Sequence, residues 1–187
     1  MENSKDSPAK TAEPPDDGIT PGRRMFLKTR DASVIDPLNW AVTISKSKHD
    51  LAVYYCGRLY ARYDAVFGRN LDGSAKEYEN DRRTPEGVYT IVQKNPSRRF
   101  RWFLKLNYPN LFDRQHYEML RDSEVIPARG DGQSPSMGGA IGIHGTDVPV
   151  LNKGHVNWTT GCVSVGNDAI AEMARLLPIG TIVVIKR

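Results

Sequence analysis

Cysteine is scarce in this chain, with 2 in 187 residues, Cys56 and Cys162. Two thiols cannot build a disulfide framework or a four-cysteine zinc site. The 4 histidines, His49, His116, His144 and His155, show no metal-ligand spacing, so no metal or other cofactor is expected. No stretch approaches ~18 uninterrupted apolar residues, so no membrane-spanning helix is expected. Internal repeats are lacking, and so is any named nucleic-acid motif. Charge of one sign does not dominate, since 26 Lys+Arg against 22 Asp+Glu leave a net charge of +4.

Hydrophobic residues make up 39% and charged residues 26%, a balance that supports a folded core. The length suits one domain plus a tail. Residues 1–36 read as a disordered tail or linker, because Ser4–Pro21 holds Pro, Asp, Ser, Lys and Thr and little to bury. Within it, Gly22-Arg23-Arg24-Met25-Phe26-Leu27-Lys28 has the look of a twin-arginine export signal. Thr29-Arg30-Asp31 follows where such a signal needs an apolar stretch, so the match reads as coincidence. A leader removed before this numbering begins fits the sequence equally well.

Residues 37–187 read as a mostly β domain. Trp40–Ile44 alternates apolar and polar positions, and Leu51–Tyr55, a turn at Cys56-Gly57 and Leu59–Val66 read as a hairpin. Further strands are expected at Val88–Val92, Phe100–Leu106, Ala140–Ile143 and Thr181–Ile185. Asp113–Arg121 is a short helix candidate, and Gly130–Gly139 a long loop. Apolar Ile170, Met173, Ala174 and Leu177 predict a helix over Asn167–Leu177, capped by Asn167 or Asp168 and stopped by Pro178 and Gly180. Basic Arg98, Arg99 and Arg101 alternate with Phe100, Trp102 and Phe103. Basic residues beside aromatics can bind single-stranded nucleic acid. A strand edge with solvated arginines explains them as well, so no nucleic-acid partner is expected.

Chemistry concentrates in Ile141-Gly142-Ile143-His144-Gly145-Thr146 and Trp158-Thr159-Thr160-Gly161-Cys162-Val163-Ser164. A histidine ends a predicted strand, and a cysteine lies 18 residues later, after a glycine and before a helix. Thiol catalysis needs a base for the thiol proton, an orienting partner for that base and N–H donors for an oxyanion. Gly161 lets a carbonyl approach the N–H groups of Gly161 and Cys162, and the Gly145 C=O can hold the imidazole tautomer. Asp147 is the other candidate to orient His144. A lone cysteine and a lone histidine are also common core residues, so spacing alone leaves both readings open.

His144, fourteen intervening residues and Thr159-Thr160-Gly161-Cys162 resemble the hallmark of the YkuD-type L,D-transpeptidases. Phe67-Gly68-Arg69, Asp81–Tyr89, Leu106-Asn107-Tyr108-Pro109-Asn110 and Pro178–Val183 resemble other family landmarks in the same order. The resemblance implies a β-sandwich-like domain that acts on peptidoglycan stem peptides in the cell envelope or periplasm. It implies His144, Cys162 and Gly145 as the catalytic set. Gly161, Thr160, Ser164 and Trp158 would then surround the oxyanion and the substrate. The expected reaction is acyl transfer through a Cys162 thioester, with carboxypeptidase or other peptidoglycan hydrolysis as the outcome when water accepts. A non-catalytic wall-binding module is the remaining alternative.

Two positions depart from the family pattern. Thr160 stands where many members have a second histidine, and Ser164 where many have an arginine for a substrate carboxylate. Arg129 or Lys153 are candidates to supply that charge. His155 is expected on the surface or at the cleft, His49 near a hairpin, His116 on an exposed helix face and Cys56 as a bystander. An imidazole beside Cys162 would raise its thiolate fraction, so Cys162 is expected to label faster than Cys56.

Overall fold

A computed structural model describes residues 18–28, 36–70 and 75–187. The tail reading for 1–17 and 29–35 lies outside the described residues. Eight strands are defined: β1 (Trp40–Ser45), β2 (Asp50–Tyr55), β3 (Arg58–Val66), β4 (Gly87–Ser97), β5 (Arg101–Leu106), β6 (Gly142–His144), β7 (Val163–Val165) and β8 (Ile182–Lys186). They close in the order β1-β2-β3-β7-β6-β5-β4-β8. One sheet holds β1, β2, β8 and parts of β3 and β4; the other holds β5, β6, β7 and the rest of β3 and β4. Two layers sharing their edge strands give the mostly β, sandwich-like domain expected from the sequence.

Alternation in the strands builds the core. Trp40, Val42 and Ile44 of β1 are buried and meet Ile91, Leu104 and Ile143 in one apolar cluster. Burying each such side chain is worth roughly 1.5–3 kcal/mol. The β2–β3 turn uses Cys56 (φ 46°) and Gly57 (φ 72°), the two positive angles of a turn whose twist matches the strands. β4 runs five residues past the expected end at Val92, and β5 starts at Arg101, so Phe100 belongs to the turn between them.

Helix α1 (Pro21–Lys28) corrects the tail reading for those eight residues. Phe26 enters an aromatic corner, 5.5 Å from the Trp40 and Tyr55 rings and 5.7 Å from Tyr60. Arg23 pairs with Glu172 at 3.4 Å and Thr20 donates to the Tyr60 carbonyl. The twin-arginine string is therefore part of the packed body. Helix α2 (Leu111–Asp122) starts two residues earlier than expected, because Asn110 and Asp113 form a capping box.

Helix α3 (Pro149–Lys153) and strand β7 were not read from the sequence, because each is too short to show a period. Helix α4 (Asn167–Leu176) buries Ala169, Ile170, Met173 and Ala174. Its N-cap is Gly166, in place of the expected Asn167 or Asp168, and Asn167 instead brackets Thr146, accepting from its N–H at 2.9 Å and donating to its C=O at 3.0 Å. Lys94 donates to the Ala174 and Leu177 carbonyls at 2.9 and 3.0 Å, a cation at the helix C-terminus. Among the described residues, no helix is long and apolar enough to cross a membrane.

Candidate active site

Parallel pairing of β6 and β7 makes the site. Ile143 pairs with Val163 and His144 with Ser164. Parallel neighbours need a crossover, and residues 145–162, with α3 among them, supply it. Side chains alternate along a strand, so Cys162 and Ser164 share the face from which His144 projects.

His144 is 3% exposed. Its Nδ1 lies 2.6 Å from the Gly145 carbonyl. A carbonyl only accepts, so Nδ1 carries the proton and Nε2 keeps its lone pair. Asp147, the other orienting candidate, does not make this contact, because it takes Arg99 Nε at 2.7 Å instead. Gly145 must be glycine here. A Cβ there would fall on Asn167 Oδ1 and 2.5 Å from the Phe100 carbonyl, to which Gly145 donates its N–H at 3.0 Å.

Ser164 has no exposed surface, so it cannot meet a substrate as the family arginine position suggested. Its hydroxyl sits 3.2 Å from the Gly145 carbonyl and takes Asn152 Nδ2 at 3.1 Å. Trp158 Nε1 closes this chain on Asn152 Oδ1 at 3.0 Å, and the Trp158 ring meets His144 edge-on at 5.8 Å. Serine at 164 therefore serves the carbonyl that holds the imidazole. Trp158 is half-buried.

The turn before Cys162 is stapled by Thr159, a residue the motif contained but to which no role was given. Its hydroxyl accepts from Gly161 N–H at 3.2 Å and donates to the Cys162 carbonyl at 2.7 Å. The Gly161 N–H is thus turned to Thr159, which corrects the expectation that it faces a substrate oxygen. Gly161 has φ 142°, and a Cβ there would press on the Arg83 carbonyl at 2.9 Å. Thr160 is exposed. Cys162 is half-buried, and its thiol points to the Ala140 carbonyl at 3.5 Å.

The His144 and Cys162 side chains are both shifted toward their uncharged forms. Burial is the main force that lowers the proton affinity of His144; the Arg99 charge adds to it, while the Gly145 bond and Asp147 oppose it. Burial also pushes the Cys162 thiol up, opposed by the Gly142 N–H and by Lys76. The expectation of an enlarged thiolate fraction at Cys162 is therefore corrected. Lys76 is itself buried against Asp81 at 2.7 Å, and Asp81 also accepts from the N–H groups of Glu77, Tyr78 and Arg83.

Phe100 is a site residue the sequence reading missed. Its ring stacks on His144 at 4.2 Å, and the Arg99 guanidinium lies over the Phe100 ring, 4.8 Å from its centroid. The basic and aromatic run thus forms the turn beside the imidazole. Arg129 pairs with Glu79 at 3.1 Å on the 125–140 loop, and Lys153 ends α3 among Arg62 and Asp64. Neither has a recorded contact with His144 or Cys162. His155 stacks on His49 at 5.2 Å and lines a separate cavity of about 400 Å³ with Phe67 and Thr84. Cys56 is exposed at its turn, and His116 is exposed on α2.

Residues 39–185 match the YkuD family, described as the L,D-transpeptidase catalytic domain. No curated protein matches the chain. Among solved structures, Bd1075 of Bdellovibrio bacteriovorus is 22% identical, with a TM-score of 0.54, over 79% of this chain and 48% of that one. The helical cell shape determining protein Pgp2 of Campylobacter jejuni is 21% identical, with a TM-score of 0.56, over 79% and 47%. An L,D-transpeptidase from Mycobacterium smegmatis is 12% identical, with a TM-score of 0.52, over 80% and 59%. These likenesses establish the fold, and the chain spans only about half the length of the first two.

Proposed function

The chain belongs to the L,D-transpeptidase catalytic-domain family, and from that premise we propose that it transfers acyl groups between peptidoglycan stem peptides through a thioester on Cys162. The observation that carries this reading is the His144 imidazole, tied at Nδ1 to Gly145 and set on β6, whose parallel partner β7 starts directly after Cys162. A substrate of this kind also assigns the protein to the cell envelope.

Cys162 Sγ attacks the carbonyl carbon of the third stem residue while His144 Nε2 takes the thiol proton. Neutral resting partners suit this concerted transfer. The Cys162 N–H meets the oxygen of the tetrahedral intermediate, with the Gly142 N–H and the Lys76 charge at hand on the sulfur side. The bond to the terminal D-amino acid breaks, and His144 returns its proton to the departing amine. An acceptor amine, such as the side chain of a diaminopimelate, then attacks the thioester. His144 removes that proton and passes it to the leaving sulfur. Thr160 and Trp158 flank the bound peptide.

Purified tetrapeptide muropeptides test the reading by product analysis. Transfer gives a joined dimer plus D-alanine, and hydrolysis gives D-alanine and a tripeptide alone. Cys162→Ala is expected to abolish both, by more than about 10⁴-fold. Undiminished products from Cys162→Ala would overturn the Cys162 thioester, and binding to the wall polymer with no products from the parent protein would favour the wall-binding alternative.

A further inference from the structure

The β4–β5 turn and the first residue of β5 carry three exposed arginines, Arg98, Arg99 and Arg101. Arg99 differs from the other two in being held. Its Nε donates to Asp147 Oδ2 at 2.7 Å, and its guanidinium lies over the Phe100 ring, which stacks in turn on His144. A guanidinium bound through Nε keeps its two terminal nitrogens as a planar fork. That fork is open to solvent, since the Arg99 side chain is 65% exposed. An ion pair this exposed adds little to stability, so its consequence is orientation.

We propose that Arg99 is a carboxylate-binding residue that seats the terminal carboxylate of the donor peptide beside His144. This rests on the acyl-transfer reading above. The leaving D-amino acid bears a free carboxylate, and a planar fork matches it with two parallel hydrogen bonds. Burial of Ser164 supports the assignment, because the residue two places after Cys162 has no surface with which to contact a substrate. The Arg99 charge already reaches His144 and lowers its proton affinity. A carboxylate docked on Arg99 offsets that charge while the imidazole accepts the thiol proton.

The test compares three donor peptides: the free acid, its terminal carboxamide, and an analogue amidated only on the side chain of the third residue. Arg99→Gln is expected to lower kcat/KM for the free acid by roughly 10–100-fold, mostly through KM. The same variant should change the terminal carboxamide by less than about threefold, a difference that isolates the pair. An equal loss on acid and carboxamide overturns the proposal. A loss that disappears only with the side-chain amide overturns the assignment to the terminal carboxylate. Arg98→Gln, on the same turn, should leave all three within about twofold, and an equal effect from it would mean a diffuse field rather than a seat. Binding of the acid and the carboxamide to Cys162→Ala, with and without Arg99→Gln, gives a readout that needs no turnover. If the parent protein processes no donor but Cys162→Ala still prefers the acid through Arg99, acyl transfer fails and the carboxylate seat stands.

Discussion

The aromatic corner under α1 and the seam between β6 and β7 are both buried, yet they are held by opposite means. The corner packs Phe26, Trp40, Tyr55 and Tyr60 in edge-to-face and tilted contacts, with rings 4.8–5.7 Å apart. Such contacts are broad, and loss of one ring leaves the others in place. The seam has two three-residue strands, and its order comes from single hydrogen bonds: Trp158 to Asn152, Asn152 to Ser164, Ser164 and His144 to one carbonyl. Each bond there is unique, so an error of a few tenths of an ångström passes straight to the imidazole. The lesson is that damage at the corner should be read in stability, and damage at the seam in rate.

Gly145→Ala presses hardest on that contrast. The added methyl must displace Asn167 and the Phe100 carbonyl, and the Phe100 carbonyl is backbone. Overpacking of this sort costs about 1–3 kcal/mol, while a misplaced imidazole costs about 100-fold in rate. Comparing kcat/KM on muropeptides with the melting temperature checks it. A variant that loses stability and keeps its rate would break the comparison from the seam's side.

Phe26→Ala presses from the other side. Phe26 is half-buried, so the loss should be about 2 kcal/mol, below the roughly 3–5 kcal/mol of a fully buried aromatic ring. For a chain of this length that is a fall of roughly 4–8 °C in melting temperature. kcat/KM on the folded fraction should stay within about twofold. A large drop in rate at a temperature where the variant is folded would show that the corner reaches the site.

The corner also marks where the sequence stopped being readable. Alternation in Trp40–Ile44 and the period of Ile170, Met173 and Ala174 are local patterns, and both gave elements close to those observed. Helix α1 has one aromatic residue and two arginines among its eight residues, so nothing local announces it. It is specified by rings supplied from β1, β2 and β3, far along the chain. His144 and Cys162 drew notice as one of 4 histidines and one of 2 cysteines, and the family resemblance joined them with Gly145 into a set. Ser164 and Phe100 did not: a serine gives no hint that it is wholly buried, and Phe100 shows its role only when the turn folds over His144.

Ser164→Ala is a finer probe of the seam. It removes the hydroxyl donor to the Gly145 carbonyl and leaves Asn152 Nδ2 without that acceptor. A buried amide left without its partner costs about 1–3 kcal/mol. If Ser164 only filled space, kcat and KM would be unchanged in the folded protein. As a positioning residue it should lower kcat about tenfold and leave KM unchanged, because the imidazole shifts while the cleft does not. A rise in KM with kcat intact would instead make Ser164 part of substrate binding.

The smallest expected effect concerns the charge state of the resting pair. Burial pushes the Cys162 thiol above the ordinary range and the His144 imidazole below its own. For the acid thiol, burial disfavours the anion, so more alkali is needed to form it. For the basic imidazole, burial disfavours the cation, so more acid is needed to protonate it. The two shifts widen the pH window in which both groups are neutral. The acid limb of kcat/KM should therefore fall below the usual histidine value of ~6.5. Alkylation of Cys162 by iodoacetamide should rise with pH through a midpoint above ~8.5. At neutral pH, exposed Cys56 should label a few-fold faster than half-buried Cys162. Faster labelling of Cys162 at neutral pH, with an acid limb above the usual histidine value, would mean a standing thiolate–imidazolium pair. Burial at the seam would then be outweighed by charge pairing, and its contrast with the corner would rest on ions rather than on single neutral hydrogen bonds.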